Sequence, residues 1–249
     1  SSTGVIKNLT SPRYFVGISS SKGYISDWGS GTTGGNIKVV DLTSNTITKT
    51  IAAGKYPDKM ILSGTKLFVI NSAGLDKDST ITIIDTQTDT PLKTLVIGGD
   101  PTGIVTDSNG KIWVLCSGIE DYAAESNSTP GKIVRINPND YSIEYSYTFP
   151  DNTKHPTELC TNSAKKRLFY IYGSGVSYYD ITTSEIVPFI TPANGYIYGL
   201  GYDPKTDYIY LTDPKDFNSN GTVYRYNSTT GALKDNFQVG INPQEITFN

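Results

Sequence analysis

Ile37–Asp41 reads IKVVD, and the same pattern returns at Ile81–Asp85 (ITIID), Ile133–Asn137 (IVRIN), Val176–Asp180 (VSYYD) and Val223–Asn227 (VYRYN). Each stretch opens on a β-branched residue and closes on Asp or Asn, with the closing residues 44, 52, 43 and 47 apart. β-Branched and aromatic residues at this density favour strands. A short Asx side chain accepts a backbone N–H two residues on and so closes a tight turn. The Asp/Asn column is therefore read as a series of turns rather than as a ring of carboxylates.

Two further columns keep step with the first. One is proline, at Pro12, Pro57, Pro101, Pro156 and Pro243, with Ile197 in its place in one unit. The other is a large hydrophobe in a neighbouring strand, at Tyr24, Phe68, Trp113, Phe169 and Ile209, read as packing between units. Units of about 45 residues with four strands each are the signature of propeller blades. The chain is thus expected to be all-β, a single β-propeller domain over 1–249 with five complete blades of four strands at about 12–53, 54–97, 98–150, 154–191 and 194–239.

In the first blade the strands are predicted at Arg13–Ser19, Gly23–Asp27, Ile37–Asp41 and Thr46–Ile51, running from inner to outer. Val5–Leu9 reads as the outermost strand of a preceding blade, and Glu245–Phe248 as the innermost strand of a following one. Sheets avoid open edges, so the expectation is a seven-bladed ring with two blades lying upstream of Ser1. A closed five-bladed ring is the alternative.

Composition narrows the function classes. Of 249 residues, 18% are charged and 11% aromatic, which excludes a disordered chain. A net charge of −3 offers no basic stripe, so nucleic acid is not an expected partner. One His and two Cys leave little for a histidine-rich or thiolate metal site, and no metal or other cofactor is expected. Cys116 and Cys160 are either buried small hydrophobes or a single bridge. His155, just before Pro156, is a loop-edge residue that hydrogen-bonds or meets solvent, or else an upper ligand to a cobalt ion. Asp107–Gly110 (DSNG) lacks the later acids of a calcium loop and reads as a type I′ or similar hairpin turn.

Loops between the second and third strands vary widely in length: Trp28–Gly35, Ser72–Ser79, Ser117–Gly131, Gly173–Gly175 and Asp213–Gly221. Insertions on one face of a repeat array commonly mark the binding face. That face offers Trp28, Tyr122, Tyr198 and Phe217 for stacking on a flat ligand, with Asp213 and Asp216 beside them. The residue two after each blade-starting proline is polar or small, and Tyr14, Lys59 and Glu158 from this column are placed at the mouth of a central channel. They either contact ligand there or satisfy inner-strand backbone and water. Arg13 and Asp58 are expected to pair across neighbouring blades.

The stretches Leu9–Tyr14 (LTSPRY), Gly110–Ser117 (GKIWVLCS), Pro156–Asn162 (PTELCTN), Tyr198–Pro204 (YGLGYDP), Gly221–Tyr226 (GTVYRY) and Val239–Pro243 (VGINP) run the length of the chain in order. Through them the chain resembles the YVTN/YncE-like seven-bladed propellers, and within these the Bacteroides surface-lipoprotein group that includes the cobalamin-binding BtuG proteins. The resemblance implies a lipid anchor upstream, an outer-membrane or cell-surface location, a corrinoid ligand and a TonB-dependent transporter as partner. The expected function is non-catalytic capture of a small molecule. The competing classes are an interaction or surface-layer scaffold and a propeller hydrolase or lactonase, the last needing an acid–base constellation that Glu158 and Glu245 alone hardly supply.

Overall fold

The computed structural model describes residues 4–30, 34–72, 78–192 and 196–248. The chain is all-β, a propeller fold of five four-stranded antiparallel sheets. The first sheet holds β1 (Pro12–Gly17), β2 (Lys22–Asp27), β3 (Asn36–Asp41) and β4 (Thr46–Ala52). The second holds β5 (Pro57–Ser63), β6 (Lys66–Asn71), β7 (Thr80–Asp85) and β8 (Thr90–Val96). The third holds β9 (Pro101–Thr106), β10 (Ile112–Cys116), β11 (Lys132–Ile136) and β12 (Ile143–Thr148). The fourth holds β13 (Thr157–Thr161), β14 (Arg167–Tyr172), β15 (Gly175–Asp180) and β16 (Glu185–Ile190). The fifth holds β17 (Gly199–Asp203), β18 (Tyr208–Asp213), β19 (Asn220–Asn227) and β20 (Leu233–Ile241). Strands follow chain order across every sheet, each pairing with the next through a hairpin.

The chain divides into two compact units: Ser1–Ile104 with Ile112–Thr153, and Val105–Lys111 with Lys154–Asn249. In the first, Tyr24, Ile37, Met60, Leu67 and Val69 form one buried cluster, while Phe68, Ile70, Ile81, Ile104, Ile112 and Val114 form another. In the second, Phe169, Ile171, Leu200, Ile209 and Tyr226 do the same. All five members of the large-hydrophobe column are fully buried. Each aromatic member removes a large apolar surface from water, which is where such sheets gain most of their cohesion.

The turn column behaves as its chemistry requires. Asp41, Asp85, Asn137, Asp180 and Asn227 each accept the backbone N–H two residues on, at 2.7, 2.7, 3.1, 2.9 and 3.0 Å. Four residues past each closing Asx the backbone turns left-handed, at Asn45, Asp89, Tyr141, Ser184 and Gly231, with φ between 55° and 72°. This fourth column has no common residue type, so composition hides it; only its fixed offset from the Asx marks it.

Other expectations concern the ends and turns of the sheets. Val5–Leu9 and Glu245–Phe248 enter none of the five sheets among the described residues. Val5, Lys7 and Asn8 instead border a cleft against Lys38, Thr46 and Thr50. Phe248 packs on Tyr210, ring centroids 5.0 Å apart. In the Asp107–Gly110 turn only Gly110 has positive φ (73°), so it is not type I′, which needs two such residues. Asp107 accepts the N–H groups of Asn109 and Lys111, as a turn residue does. Cys116 and Cys160 form no disulfide among the described residues. Among the described residues no helix is long and apolar enough to cross a membrane.

Candidate functional site

Two of the variable loops rest on the same frame. In the first sheet Asp27 ends β2 and accepts the Gly29 N–H at 3.0 Å; in the fifth, Asp213 ends β18 and accepts the Lys215 N–H at 2.8 Å. Each loop returns through a glycine that could carry no side chain. A Cβ on Gly35 would lie 2.0 Å from the Pro57 ring and 2.9 Å from the Asp27 carbonyl; on Gly221 the distances are 2.5 Å to Pro243 and 2.7 Å to Asp213. The proline column and the strand-end aspartate thus clamp the loop base from two sides, and only glycine fits between them. Asp27 also accepts the N–H groups of Thr10 and Ser11. Burial alone would push its carboxyl up, but these backbone donors outweigh it and hold the group below its ordinary value.

The first frame carries a closed cluster. The Arg13 guanidinium lies 4.3 Å from the Trp28 ring centroid, and Tyr56 meets the same ring edge-on at 5.3 Å. Arg13 Nε in turn donates to Asp58 Oδ2 at 3.3 Å, so the expected pairing of Arg13 with Asp58 is present. Burial pushes the Asp58 carboxyl up, and Arg13 only partly offsets this. The Trp28 Nε1–H is buried with no acceptor among the described residues. Trp28 therefore serves here as a packing element, with one face taken by a cation and an edge taken by Tyr56.

Tyr14 and Lys59 sit beside this cluster in the inner strands, with Lys59 Nζ 5.9 Å from the Tyr14 ring. Tyr14 also packs on the buried cluster around Tyr24 and Met60. The register of β1 against β2 breaks between Pro12 and Phe15, that of β5 against β6 between Pro57 and Met60, and that of β13 against β14 between Thr157 and Cys160. Tyr14, Lys59 and Glu158 each fall inside one of these irregularities, and Glu158 has a left-handed φ of 52°. Bulges re-aim side chains, which is the physical origin of the polar column. Tyr122, on the long β10–β11 loop, is 89% exposed.

The second frame carries an open cluster. Tyr196, Tyr198 and Phe217 form a triangle with centroid separations of 6.1, 6.3 and 5.5 Å. Tyr196 is 59% and Phe217 47% exposed. Gln244 Nε2 donates to the Tyr198 hydroxyl at 3.3 Å. Phe217 is presented by a left-handed backbone (φ 62°), two residues after Lys215 with φ 54°. Asp216 stabilises that bend by accepting the N–H groups of Asn218 and Ser219 and the Ser219 hydroxyl; these bonds hold its carboxyl below the ordinary range. Asp213 is buried. Both acids are loop-building groups in this structure.

Of the residues singled out in the sequence, Tyr198, Asp213, Asp216 and Phe217 come together in the second unit, and Tyr14, Trp28 and Lys59 in the first. Tyr196 was missed. Its signal is the Tyr-Ile-Tyr alternation at 196–198, which sends residues 196 and 198 to the same side. The tips of the β2–β3 and β6–β7 loops, at 31–33 and 73–77, lie outside the described residues.

A family described as a domain of unknown function, DUF5074, matches residues 1–243. Many solved structures share the fold, three among them as follows. Kuenenia stuttgartiensis hydrazine synthase aligns at TM-score 0.69 with 20% identity, over 96% of this chain and 68% of that one. The extracellular domain of the hybrid two-component system BT4673 from B. thetaiotaomicron aligns at 0.66 with 19% identity, over 89% of this chain and 28% of that one. The Cps50 (Swd1) β-propeller domain of Myceliophteria thermophila aligns at 0.66 with 14% identity, over 95% and 74%. No curated protein matches. At these identities the likeness carries the fold alone, since propellers host binding, scaffold and catalytic functions alike.

Proposed function

The chain belongs to the DUF5074 family, and from that premise we propose that it is a non-catalytic propeller that captures a small molecule through its strand-connecting loops. The observation that carries this is the open triangle of Tyr196, Tyr198 and Phe217. Rigid rings held on a braced loop can stack on a flat ligand at small entropic cost, and two of the three expose much of their surface. The acids nearby are engaged by backbone N–H groups, as caps are, which favours binding over acid–base chemistry.

The ligand class we propose is a corrinoid. The macrocycle is broad and apolar at its faces and edged with amides, which suits aromatic rings bordered by a glutamine and polar loop backbone. The resemblance to the BtuG-containing surface lipoproteins supports the same choice. On this reading the chain works at the cell surface, anchored by lipid upstream, and passes its ligand to a TonB-dependent outer-membrane transporter.

Calorimetric titration with cyanocobalamin, and with cobinamide alongside, tests the proposal. Saturable one-to-one heat is expected, weakened about tenfold or more by Tyr198→Ala or Phe217→Ala, as loss of a stacking anchor predicts. Absence of heat with either corrinoid well above micromolar concentration would sink the corrinoid reading.

A further inference from the structure

A second site, at the other end of the β18 strand from Phe217, emerges from comparing two sheet junctions that the repeat makes equivalent. In the first unit Lys22, which opens β2, donates to the Thr86 carbonyl at 2.9 Å and to Asp89 Oδ2 at 2.7 Å. Thr86 follows the closing Asx of its sheet by one residue and Asp89 by four. In the second unit the residue that opens β14 is Arg167, and the residues one and four past the closing Asn227 are Ser228 and Gly231. Arg167 Nη1 again donates to the carbonyl, that of Ser228, at 3.4 Å. The carboxylate has gone. A side chain cannot be restored there, because a Cβ on Gly231 would lie 2.9 Å from the Phe189 carbonyl oxygen.

Where the first junction is filled by its own ion pair, the second opens a cleft of about 520 Å³ lined by Asn162, Lys166, Arg167, Asp180, Asp207 and Thr229 among others. Its acceptors are largely turned to the protein. Asp207 Oδ1 takes the hydroxyls of Tyr202 and Ser228 at 2.7 and 2.6 Å. Asp180 Oδ1 takes the Thr182 N–H and hydroxyl at 2.9 and 2.5 Å. Asn162 Oδ1 takes the N–H groups of Lys166 and Arg167. What remains is mostly donors. Arg167 stacks on Tyr178 at 4.7 Å and forms an ion pair with Asp180 at 3.7 Å, too long for a hydrogen bond, so apart from the N–H given to Ser228 most of its five donors are available. The Lys166 ammonium makes no ion pair among the described residues, and the Asn162 amide N–H₂ and Thr229 hydroxyl are spare there too.

We infer that this cleft binds an oxyanion, the carboxylate or phosphate group of a small acid, which takes the place that Asp89 fills in the first unit. A planar guanidinium with free N–H groups matches both oxyacids bidentately, and Lys166 adds charge at the rim. The site is independent of the aromatic loops, so it stands whether or not a corrinoid binds there.

The test is a titration of the whole chain with inorganic phosphate, with glucuronate, and with glucose as the neutral control, followed by calorimetry or by NMR shifts. Saturable binding of phosphate, glucuronate or both is expected; which one saturates identifies the oxyacid. Arg167→Gln should weaken binding about tenfold or more, Lys166→Gln about threefold, and both effects should shrink in high salt. Thr229→Asp, at an exposed turn position whose hydroxyl is unused, is the second variant. It presents a carboxylate to Arg167 and should abolish binding while leaving the melting temperature and the corrinoid titration unchanged. The inference is overturned if neither acid saturates, if glucose binds as well as they do, or if both acids bind Arg167→Gln and Thr229→Asp as they bind the unaltered chain.

Discussion

The loops after β2 and after β18 stand on one frame and end in opposite states. Both begin at a strand-end aspartate that caps the residue two on, and both close on a glycine pressed against the proline that follows the sheet's last strand. What hangs from the frame differs. Trp28 is held by Arg13 and Tyr56, with Arg13 tied to Asp58. Phe217 is held by turn backbone and by the rings of Tyr196 and Tyr198, and the triangle they form stays partly uncovered. An aromatic residue in a variable loop is therefore not in itself a ligand contact; its partners decide whether it braces the fold or waits for something to stack on.

Breaking the shared frame should produce the largest effect. Gly35→Ala forces a methyl into the Pro57 ring and the Asp27 carbonyl, and a loss of about 3 kcal/mol is expected by denaturant unfolding, the upper range for overpacking. Gly221→Ala should behave alike because its contacts are alike. If either variant keeps full stability, the two loops are not clamped as described.

Next comes the contrast itself. Trp28→Ala should cost about 2 kcal/mol, since it removes a partly buried ring and its contact with the Arg13 cation. Phe217→Ala should cost less than about 0.5 kcal/mol, as exposed positions do, and show its effect in ligand titration. Equal stability losses for the two would erase the distinction between brace and platform.

Much of the fold was legible because repetition amplifies weak signals. One Asx turn is ambiguous, but five at matching stations are not, and each now proves to cap the N–H two residues on. The site was less legible. Trp28 and Phe217 look the same in sequence, since nothing local tells that Arg13, fifteen residues upstream, will lie over one ring. Asp213 and Asp216 looked like ligand contacts because short acids beside aromatics suit both roles, and only the backbone shows which N–H groups they accept. Val5–Leu9 and Glu245–Phe248 have strand composition, yet pairing is not a property of composition.

A smaller effect separates two aspartates within the closed cluster. Asp27 is held below its ordinary 3.8, so its contribution is present above that pH and lost as pH falls through the depressed value. Asp58 is raised, so its contribution declines as pH rises from 3.8 through the elevated value. Thermal melts between pH 3 and 6 should therefore show opposite trends. Relative to the unaltered chain, Asp27→Asn should grow less stable as pH rises, and Asp58→Asn more stable. Trends of the same sign would mean that one environment has been misjudged.

A modest effect belongs to the turns, which the two units share. Asn227 accepts the N–H groups of Thr229 and Thr230, and Asn227→Ala should cost about 1 kcal/mol, the net worth of such bonds. Asn227→Asp should restore most of it, because the acceptor returns. Unfolding by denaturant decides both.

The two thiols give the chain a built-in timer. Cys116 lies in the first unit and is wholly buried, and Cys160 lies in the second and is only partly covered. Burial also pushes the Cys116 thiol far above its ordinary value, so little reactive thiolate forms while its surroundings stay closed. Alkylation of Cys116, followed by mass spectrometry with the partly covered Cys160 as the reference thiol, thus dates the opening of the first unit. If Cys116 is labelled only at the rate of global unfolding, the propeller yields as a whole; if it is labelled faster, the sheet around it opens locally first.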